Sequence, residues 1–100
     1  MEAGLELAES KVLVAELMDE EILAKLRAVV QVDVKYGLSH EQLLEIAPAY
    51  HGIIVRSETQ INKSFLDAAT SLRIVGRAGS GLDNIDVPYA TQKGVIVCNS

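Results

Sequence analysis

The sequence contains a single cysteine, Cys98, so no disulfide can form within the chain. An oxidising compartment is therefore not indicated. No apolar run approaches the ~20 residues that a membrane-spanning helix needs. The acidic first ten residues also lack the basic and apolar parts of a signal peptide. We therefore expect a cytoplasmic protein, with residues 1–10 as an N-terminal extension of the folded domain.

Positive charge is scarce as well, because nine Lys and Arg stand against 14 Asp and Glu, for a net charge of −5. This balance argues against nucleic acid and against an anionic membrane surface as partners. The few basic residues must therefore matter by position. Two isolated histidines, His40 and His51, and one cysteine do not supply a metal site. We expect Cys98, at a strand end, to be a small buried side chain and not a nucleophile.

Apolar residues are plentiful, at 49% of the chain, and they fall into five short runs separated by helical patterns. The runs predict strands at residues 11–15, 30–35, 52–55, 72–76 and 95–98. Asp19, Ser39 and Asn62 each precede a helical pattern as N-cap residues, and Gln42 completes a capping box with Ser39. Pro48 is expected to end the second helix. A fourth, short helix is predicted over residues 87–93.

This strict alternation predicts an α/β fold with a doubly wound, five-stranded parallel sheet. The expected strand order is 2-1-3-4-5, with helices on both faces in a three-layer α/β/α arrangement. The high apolar content suggests that one face is normally covered by another domain. We therefore expect exposed apolar surface, which favours self-association.

Basic and glycine residues follow two strands that are neighbours in this order. Arg56 and Ser57 come directly after the third strand, and Arg77 precedes the glycines of segment 79–81 after the fourth. Ligands in open α/β sheets bind at the carboxyl ends of the strands. Guanidinium forks and bare backbone N–H groups suit a carboxylate or a phosphate. These residues therefore predict a site for a small anion.

Two other interpretations of the same residues need weighing, of which the first stays open and the second is rejected. The arginines could be surface residues that pair with Glu58 and Asp83, with the glycines serving only the turn. The glycines could also begin a dinucleotide fingerprint, but Asn84 occupies the third glycine position and the following helix is short. We therefore do not assign this loop as a pyrophosphate cradle.

Three segments carry a family resemblance: residues 53–59 (IIVRSET), 75–87 (VGRAGSGLDNIDV) and 90–99 (ATQKGVIVCN). They resemble the N-terminal part of the D-2-hydroxyacid dehydrogenases, and most closely the branch of that family that acts on 3-phosphoglycerate. The resemblance implies a flavodoxin-like substrate-binding lobe over residues 11–100. It also implies that the chain stops before the nucleotide-binding domain and that the family's catalytic residues lie outside it.

The resemblance implies a role for each residue of the predicted site. Arg56 and Ser57 would contact the substrate, and Arg77 would lie near its phosphate. The substrate carboxylate would receive backbone N–H groups from the glycine loop, at Ala78, Gly79, Ser80 and Gly81. Ser80 would also lie close to the nicotinamide end of the cofactor NAD.

The function implied for the parent enzyme is NAD-dependent oxidation of 3-phosphoglycerate to 3-phosphohydroxypyruvate, which opens serine synthesis. The chain alone is expected to bind a small anionic 2-hydroxy acid at most, to hold no NAD tightly, and to be inactive. One alternative is the corresponding lobe of a glyoxylate or hydroxypyruvate reductase. Another is an excised or stand-alone flavodoxin-like domain without catalysis.

Overall fold

Five strands and four α-helices alternate along residues 9–99, the part of the chain that the computed structural model describes. The elements are β1 (Lys11–Val14), α1 (Glu20–Arg27), β2 (Gln31–Val34), α2 (His40–Ile46), β3 (Gly52–Val55), α3 (Lys63–Ala68), β4 (Ile74–Arg77), α4 (Val87–Gln92) and β5 (Ile96–Asn99). Most of the expected extension, residues 1–8, lies outside the described residues.

All strand pairs are parallel, and the order is β2-β1-β3-β4-β5. The predicted fold class and strand order are therefore confirmed. The third strand has the predicted ends, and the ends of the other strands lie within two residues of the predicted ones. The register places Val55 opposite Arg77, and Arg77 opposite Asn99, so β3, β4 and β5 end side by side.

The helices begin where the capping residues predict. The Asp19 carboxylate accepts the N–H of Glu21 at 2.8 Å, and the Asn62 side chain accepts that of Phe65 at 3.0 Å. Ser39 and Gln42 form the reciprocal capping box. As predicted, α2 ends just before Pro48, with its last residue at Ile46 and its C-cap at Ala47, and the chain continues through the proline in a 3-10 turn, Ala47–Ala49. Proline is tolerated there because its missing N–H has no partner in a first turn.

The two faces of the sheet are covered unequally. Helices α2, α3 and α4 contribute Leu43, Phe65 and Ala90 to one core, and the strands contribute Leu13, Ile53, Val55 and Val75. Helix α1 contributes none of the residues of that cluster. Its Leu23 is buried on the opposite face of the sheet, where Val14 is buried as well. The three-layer arrangement therefore has three helices on one side and one on the other, within residues 9–99.

The thinly covered face exposes apolar side chains on β4 and β5. Ile74 is 42% exposed and Ile96 is 62% exposed. Cys98 is also exposed, which corrects the prediction that it is buried. The reason is its position on an edge strand, on the face where α1 is the helix available for cover. No helix within residues 9–99 is long and apolar enough to span a bilayer.

Candidate anion-binding site

The loop that follows β3, residues 56–59, is built around a carboxylate from another strand end. Glu16, which comes just after β1, accepts the backbone N–H groups of Arg56 at 2.6 Å, Glu58 at 3.1 Å and Thr59 at 3.0 Å. Backbone N–H groups of one turn that converge on a single anion in this way form an anion-binding nest. In this molecule an internal carboxylate occupies that nest.

A second side chain holds the same loop from the opposite direction. The Asn84 amide, which is 7% exposed, donates to the carbonyls of Arg56 and Thr59, both at 2.7 Å. Its oxygen accepts the Nε–H of Arg77 at 3.0 Å. A parallel bridge between Ile61 and Ile85 joins the two loops further along. The loops after β3 and β4 therefore form one connected unit.

Sequence reasoning missed these roles of Glu16 and Asn84. The sequence indicates for Asn84 only that it occupies the third glycine position of the fingerprint, and it does not single out Glu16. The available signal was Asn84 itself, since an amide in the third glycine position of a loop offers both a donor and an acceptor. The contact of Glu16 with a loop 40 residues later in the chain has no local sequence signal.

The scaffold leaves most of the Arg56 guanidinium and the whole of Ser57 without a partner among residues 9–99. The Arg56 guanidinium makes one hydrogen bond, a long one of 3.4 Å to the carbonyl of Leu17. Neither Ser57 N–H nor its hydroxyl bonds to any residue from 9 to 99. Both residues line an open cleft of about 440 Å³, together with Leu17, Tyr36 and Glu58. This cleft therefore offers a charged fork and two further donors to an anion.

Arg77 lies at the same sheet edge, as predicted, because it pairs with Val55 beside Arg56. Its contacts are different, however. Its Nε–H is held by Asn84, and its guanidinium lies so close to Gly79 that a Cβ there would overlap it. The two arginines thus contact partners on opposite sides of the end of β3. Neither forms an ion pair with any described residue, so the predicted alternative of surface pairs with Glu58 and Asp83 is not observed.

The glycine loop after β4 is less tightly held than the loop after β3. The N–H of Ala78 donates to the Val55 carbonyl at 2.9 Å, so it continues the sheet and is not free for a ligand. The Ser80 carbonyl accepts from the Asn99 amide at 2.6 Å. The N–H groups of Ser80 and Gly81 donate to no residue in the described range. The substrate and cofactor roles expected of Ala78, Gly79, Ser80 and Gly81 remain predictions.

The glycine loop does not fit a dinucleotide pyrophosphate. Asn84 is buried and bonded at the place where the fingerprint needs its third glycine, and α4 has six residues and begins only at Val87. Residues 9–99 therefore offer no cradle for NAD. Ser80, exposed at the tip of the loop, remains the one residue expected near a cofactor.

The histidines do not supply a base in the Arg56 cleft. His40 lies in a neighbouring cavity of about 280 Å³ and is 2.9 Å from the Ser64 hydroxyl. His51 accepts the Lys11 N–H at 3.0 Å at the other end of the sheet. The cleft can therefore bind and orient an anion, but the described residues place no histidine in it to move a proton.

The electrostatics of Glu16 follow from its contacts. Partial burial by itself would raise the pKa of the Glu16 carboxyl. The N–H groups of Arg56, Thr59 and Glu58 and the Thr59 hydroxyl outweigh that effect and hold the pKa below 4.5. Glu16 is therefore ionised at neutral pH, when it can accept all these hydrogen bonds.

Comparisons of the sequence with a family model and with known proteins all indicate the same family. The sequence model of the D-isomer specific 2-hydroxyacid dehydrogenase catalytic domain matches residues 12–100. The chain is 46% identical over 91 residues to a D-3-phosphoglycerate dehydrogenase of Synechocystis, and 46% identical over 91 residues to one of Archaeoglobus fulgidus. These alignments cover 91% and 90% of this chain but only 16% and 17% of the relatives. The chain therefore spans about one sixth of their length.

Solved structures agree. A protein of Pyrococcus horikoshii OT3 superposes with a TM-score of 0.89 at 32% identity, over 92% of this chain and 28% of that one. The NAD+-bound 3-phosphoglycerate dehydrogenase of Entamoeba histolytica gives a TM-score of 0.79 at 25% identity, over 92% of this chain and 33% of that one. This chain belongs to the D-isomer-specific 2-hydroxyacid dehydrogenase family.

Proposed function

We propose that the chain is the substrate-binding lobe of an NAD-dependent D-3-phosphoglycerate dehydrogenase that acts in the cytoplasm. The observation that carries the proposal is the cleft with the Arg56 guanidinium and the unpaired Ser57 donors, in a chain similar to phosphoglycerate dehydrogenases over nine-tenths of its length. The parent enzyme would oxidise 3-phosphoglycerate to 3-phosphohydroxypyruvate at the start of serine synthesis.

In this reaction carbon C2 would lose its hydrogen as a hydride, which NAD would accept, and the C2 hydroxyl would lose its proton to a base. The lobe's share is to bind and orient the acid. The Arg56 fork matches a carboxylate, and charge-assisted hydrogen bonds of this kind are shorter and stronger than neutral ones. Ser57 would add its hydroxyl and N–H. We expect the chain alone to bind substrate but not to turn over, and NADH production by it would contradict this expectation.

Binding can be tested with ¹⁵N-labelled chain and three ligands that share parts of one molecule. These are 3-phosphoglycerate, D-glycerate without the phosphate, and glycerol 3-phosphate without the carboxylate. We expect 3-phosphoglycerate to shift the amide signals of Ser57 and Gly81, with D-glycerate weaker and glycerol 3-phosphate weakest. An absence of shifts for all three ligands would overturn the proposal.

One observation favours a second candidate, the corresponding lobe of a glyoxylate or hydroxypyruvate reductase. The Nε–H of Arg77 is held by Asn84, so the guanidinium expected near a substrate phosphate is already engaged. If D-glycerate binds as tightly as 3-phosphoglycerate, the phosphate makes no contact and this second candidate is preferred.

The exposed apolar face supports a further part of the proposal, which is self-association of the chain or its cover by another domain. Ile74 and Ile96 lie on this face at 42% and 62% exposure. Sedimentation velocity over a range of concentrations tests self-association. A monomer at every concentration would contradict it.

A further inference from the structure

We infer that Glu16 is a positioning residue: its carboxylate folds the 56–59 loop so that Arg56 and Ser57 face the substrate. The inference rests on the proposed function, because the ligand that these residues meet is the proposed one. Glu16 itself is not expected to touch the substrate.

The N–H groups of the 56–59 loop divide into those that Glu16 accepts and one that it does not. Glu16 takes those of Arg56, Glu58 and Thr59, and skips Ser57. The Ser57 N–H is thus left out of the hydrogen bonds that the Glu16 carboxylate accepts. The Ser57 N–H and hydroxyl are accordingly the backbone and side-chain donors of this loop without a partner in the described range.

Asn84 fixes two carbonyls of the same loop. Its amide bonds to those of Arg56 and Thr59, at the two ends of the loop. With the N–H groups held from one side and the carbonyls from the other, the loop has little freedom. Preorganised donors bind more tightly because less ordering free energy is lost on binding.

Glu16 lies between two cavities at the carboxyl end of the sheet. It lines both the Arg56 cleft of about 440 Å³ and the neighbouring cavity of about 280 Å³. The titratable groups that line these cavities with it are Arg56 and Glu58 from the loop after β3, and Tyr36 and His40 from the segment after β2. A negative charge beside an anion site should by itself weaken anion binding. Its presence there calls for a compensating role, and the three N–H bonds supply one.

The sign of a mutational effect separates positioning from simple charge. Glu16→Gln and Glu58→Gln each remove one negative charge from the same two cavities. On charge alone, both variants bind 3-phosphoglycerate more tightly. If Glu16 positions the loop, Glu16→Gln instead binds more weakly, because the NH₂ of the new amide opposes an N–H donor and the loop loses its preorganised shape.

We expect Glu16→Gln to raise the Kd for 3-phosphoglycerate about five- to tenfold, as loss of preorganisation would. We expect Glu58→Gln to lower it about twofold at low salt, by removal of like charge. Both are read from amide shifts of the labelled chain at neutral pH. Equal tightening in the two variants would overturn the inference and leave the proposed function intact. No binding by the unaltered chain would overturn the proposed function, and the inference with it.

A pH titration of the amide proton shifts reports on the Glu16 carboxylate directly, and a structural contact elsewhere in the molecule would not change this result. As pH falls, the amide protons of Arg56, Glu58 and Thr59 should shift together, with one midpoint below 4.5, since they report the same carboxylate. This common step should vanish in Glu16→Gln and persist in Glu58→Gln. Independent midpoints for the three amides would contradict the inference.

A milder variant covers the case in which Glu16→Gln does not fold. Thr59→Val removes the Thr59 hydroxyl, which contributes to the lowered pKa of the Glu16 carboxyl, and keeps every backbone N–H. We expect it to move the Glu16 midpoint upward and to weaken 3-phosphoglycerate binding by about twofold, in proportion to the one lost donor. An upward midpoint with unchanged binding would count against positioning.

Discussion

The two ends of the sheet handle their polar groups in different ways. At the amino end, side chains satisfy one another: the Tyr50 hydroxyl donates to Asp33 at 2.6 Å, and Lys11 lies 3.9 Å from Asp33 and over the Tyr50 ring. At the carboxyl end, Glu16 and Asn84 bond to the backbone of a loop, leaving Arg56 with one long hydrogen bond and Ser57 with no partner among residues 9–99. The first arrangement completes a structure, whereas the second preserves donors for a ligand.

Loss of the Asn84 amide should have the largest effect on stability and should break the carboxyl end selectively. In Asn84→Ala, two carbonyls lose their donors and Arg77 loses its acceptor in a buried position. We expect the free energy of unfolding to fall by about 2–4 kcal/mol, since buried unsatisfied groups are costly. Urea denaturation measures the loss.

The matched control is Asn99→Ala, which removes an exposed amide that donates to the Ser80 carbonyl. Water can replace that bond, so we expect a cost of about 0.5 kcal/mol or less. Equal losses for Asn84→Ala and Asn99→Ala would show that the buried network is not what connects the two loops.

Glycine substitutions test the second loop of the carboxyl end. Gly79 has φ +145°, and a Cβ there would displace the Arg77 guanidinium from its place beside Asn84. Gly79→Ala should therefore cost about 1–2 kcal/mol in unfolding free energy, through backbone strain and the displaced arginine. Gly81→Ala meets no atom within 4 Å and should change stability by about 0.5 kcal/mol or less. If thermal unfolding ranks the two variants equally, Gly79 is not specially constrained.

Much of the fold was predictable because its signals are local. The N-caps Asp19, Ser39 and Asn62 and the short apolar runs each act within a few residues, and the alternation of strands and helices restricts the topology. The exposure of Cys98 was not predictable in this way, because it depends on what packs around the residue, and that is set by distant segments.

The site divides along the same line. The sequence predicts that Arg56 and Arg77 share a sheet edge, since Arg56 directly follows one strand and Arg77 lies at the end of the neighbouring one. It does not predict that Arg77 is held by Asn84, or that Glu16 fills the nest of the 56–59 loop. These contacts depend on where each side chain points once the loops are closed, and no spacing in the sequence encodes that.

A pH comparison separates the two ends of the sheet. Burial and the hydrogen bond to Asp33 raise the pKa of Tyr50 to about 12, from its ordinary 10.0. A raised pKa in the folded state means that the stabilisation is complete below the unfolded value and is lost as pH rises towards 12. For Glu16 the pKa is lowered, so its stabilisation is complete above the unfolded value and is lost as pH falls through the folded value. The amino end should therefore weaken in alkali and the carboxyl end in acid.

Tyr50→Phe tests the alkaline half of this comparison. At neutral pH we expect a cost of about 1 kcal/mol in unfolding free energy, the usual size for one hydrogen bond. The difference in unfolding free energy between the variant and the unaltered chain should shrink as pH rises from about 9 to about 11.5. The reason is that the tyrosine of the unfolded chain ionises at lower pH than that of the folded chain, which favours unfolding. Urea unfolding at several pH values gives the result, and a pH-independent difference would contradict it.

The smallest effect on stability should come from the residue with the largest effect on binding. Arg56 is exposed, has no ion pair among the described residues, and makes one hydrogen bond of 3.4 Å. Arg56→Ala should therefore change the unfolding free energy by about 0.5 kcal/mol or less. The same change should abolish measurable binding of 3-phosphoglycerate, because it removes the one guanidinium that lines the cleft. Lys11→Ala, at the other end of the sheet, should do the reverse and lower stability modestly without altering binding. If Arg56→Ala instead destabilises the chain as much as Lys11→Ala does, Arg56 serves the fold, and the two ends of the sheet do not differ as the contacts indicate.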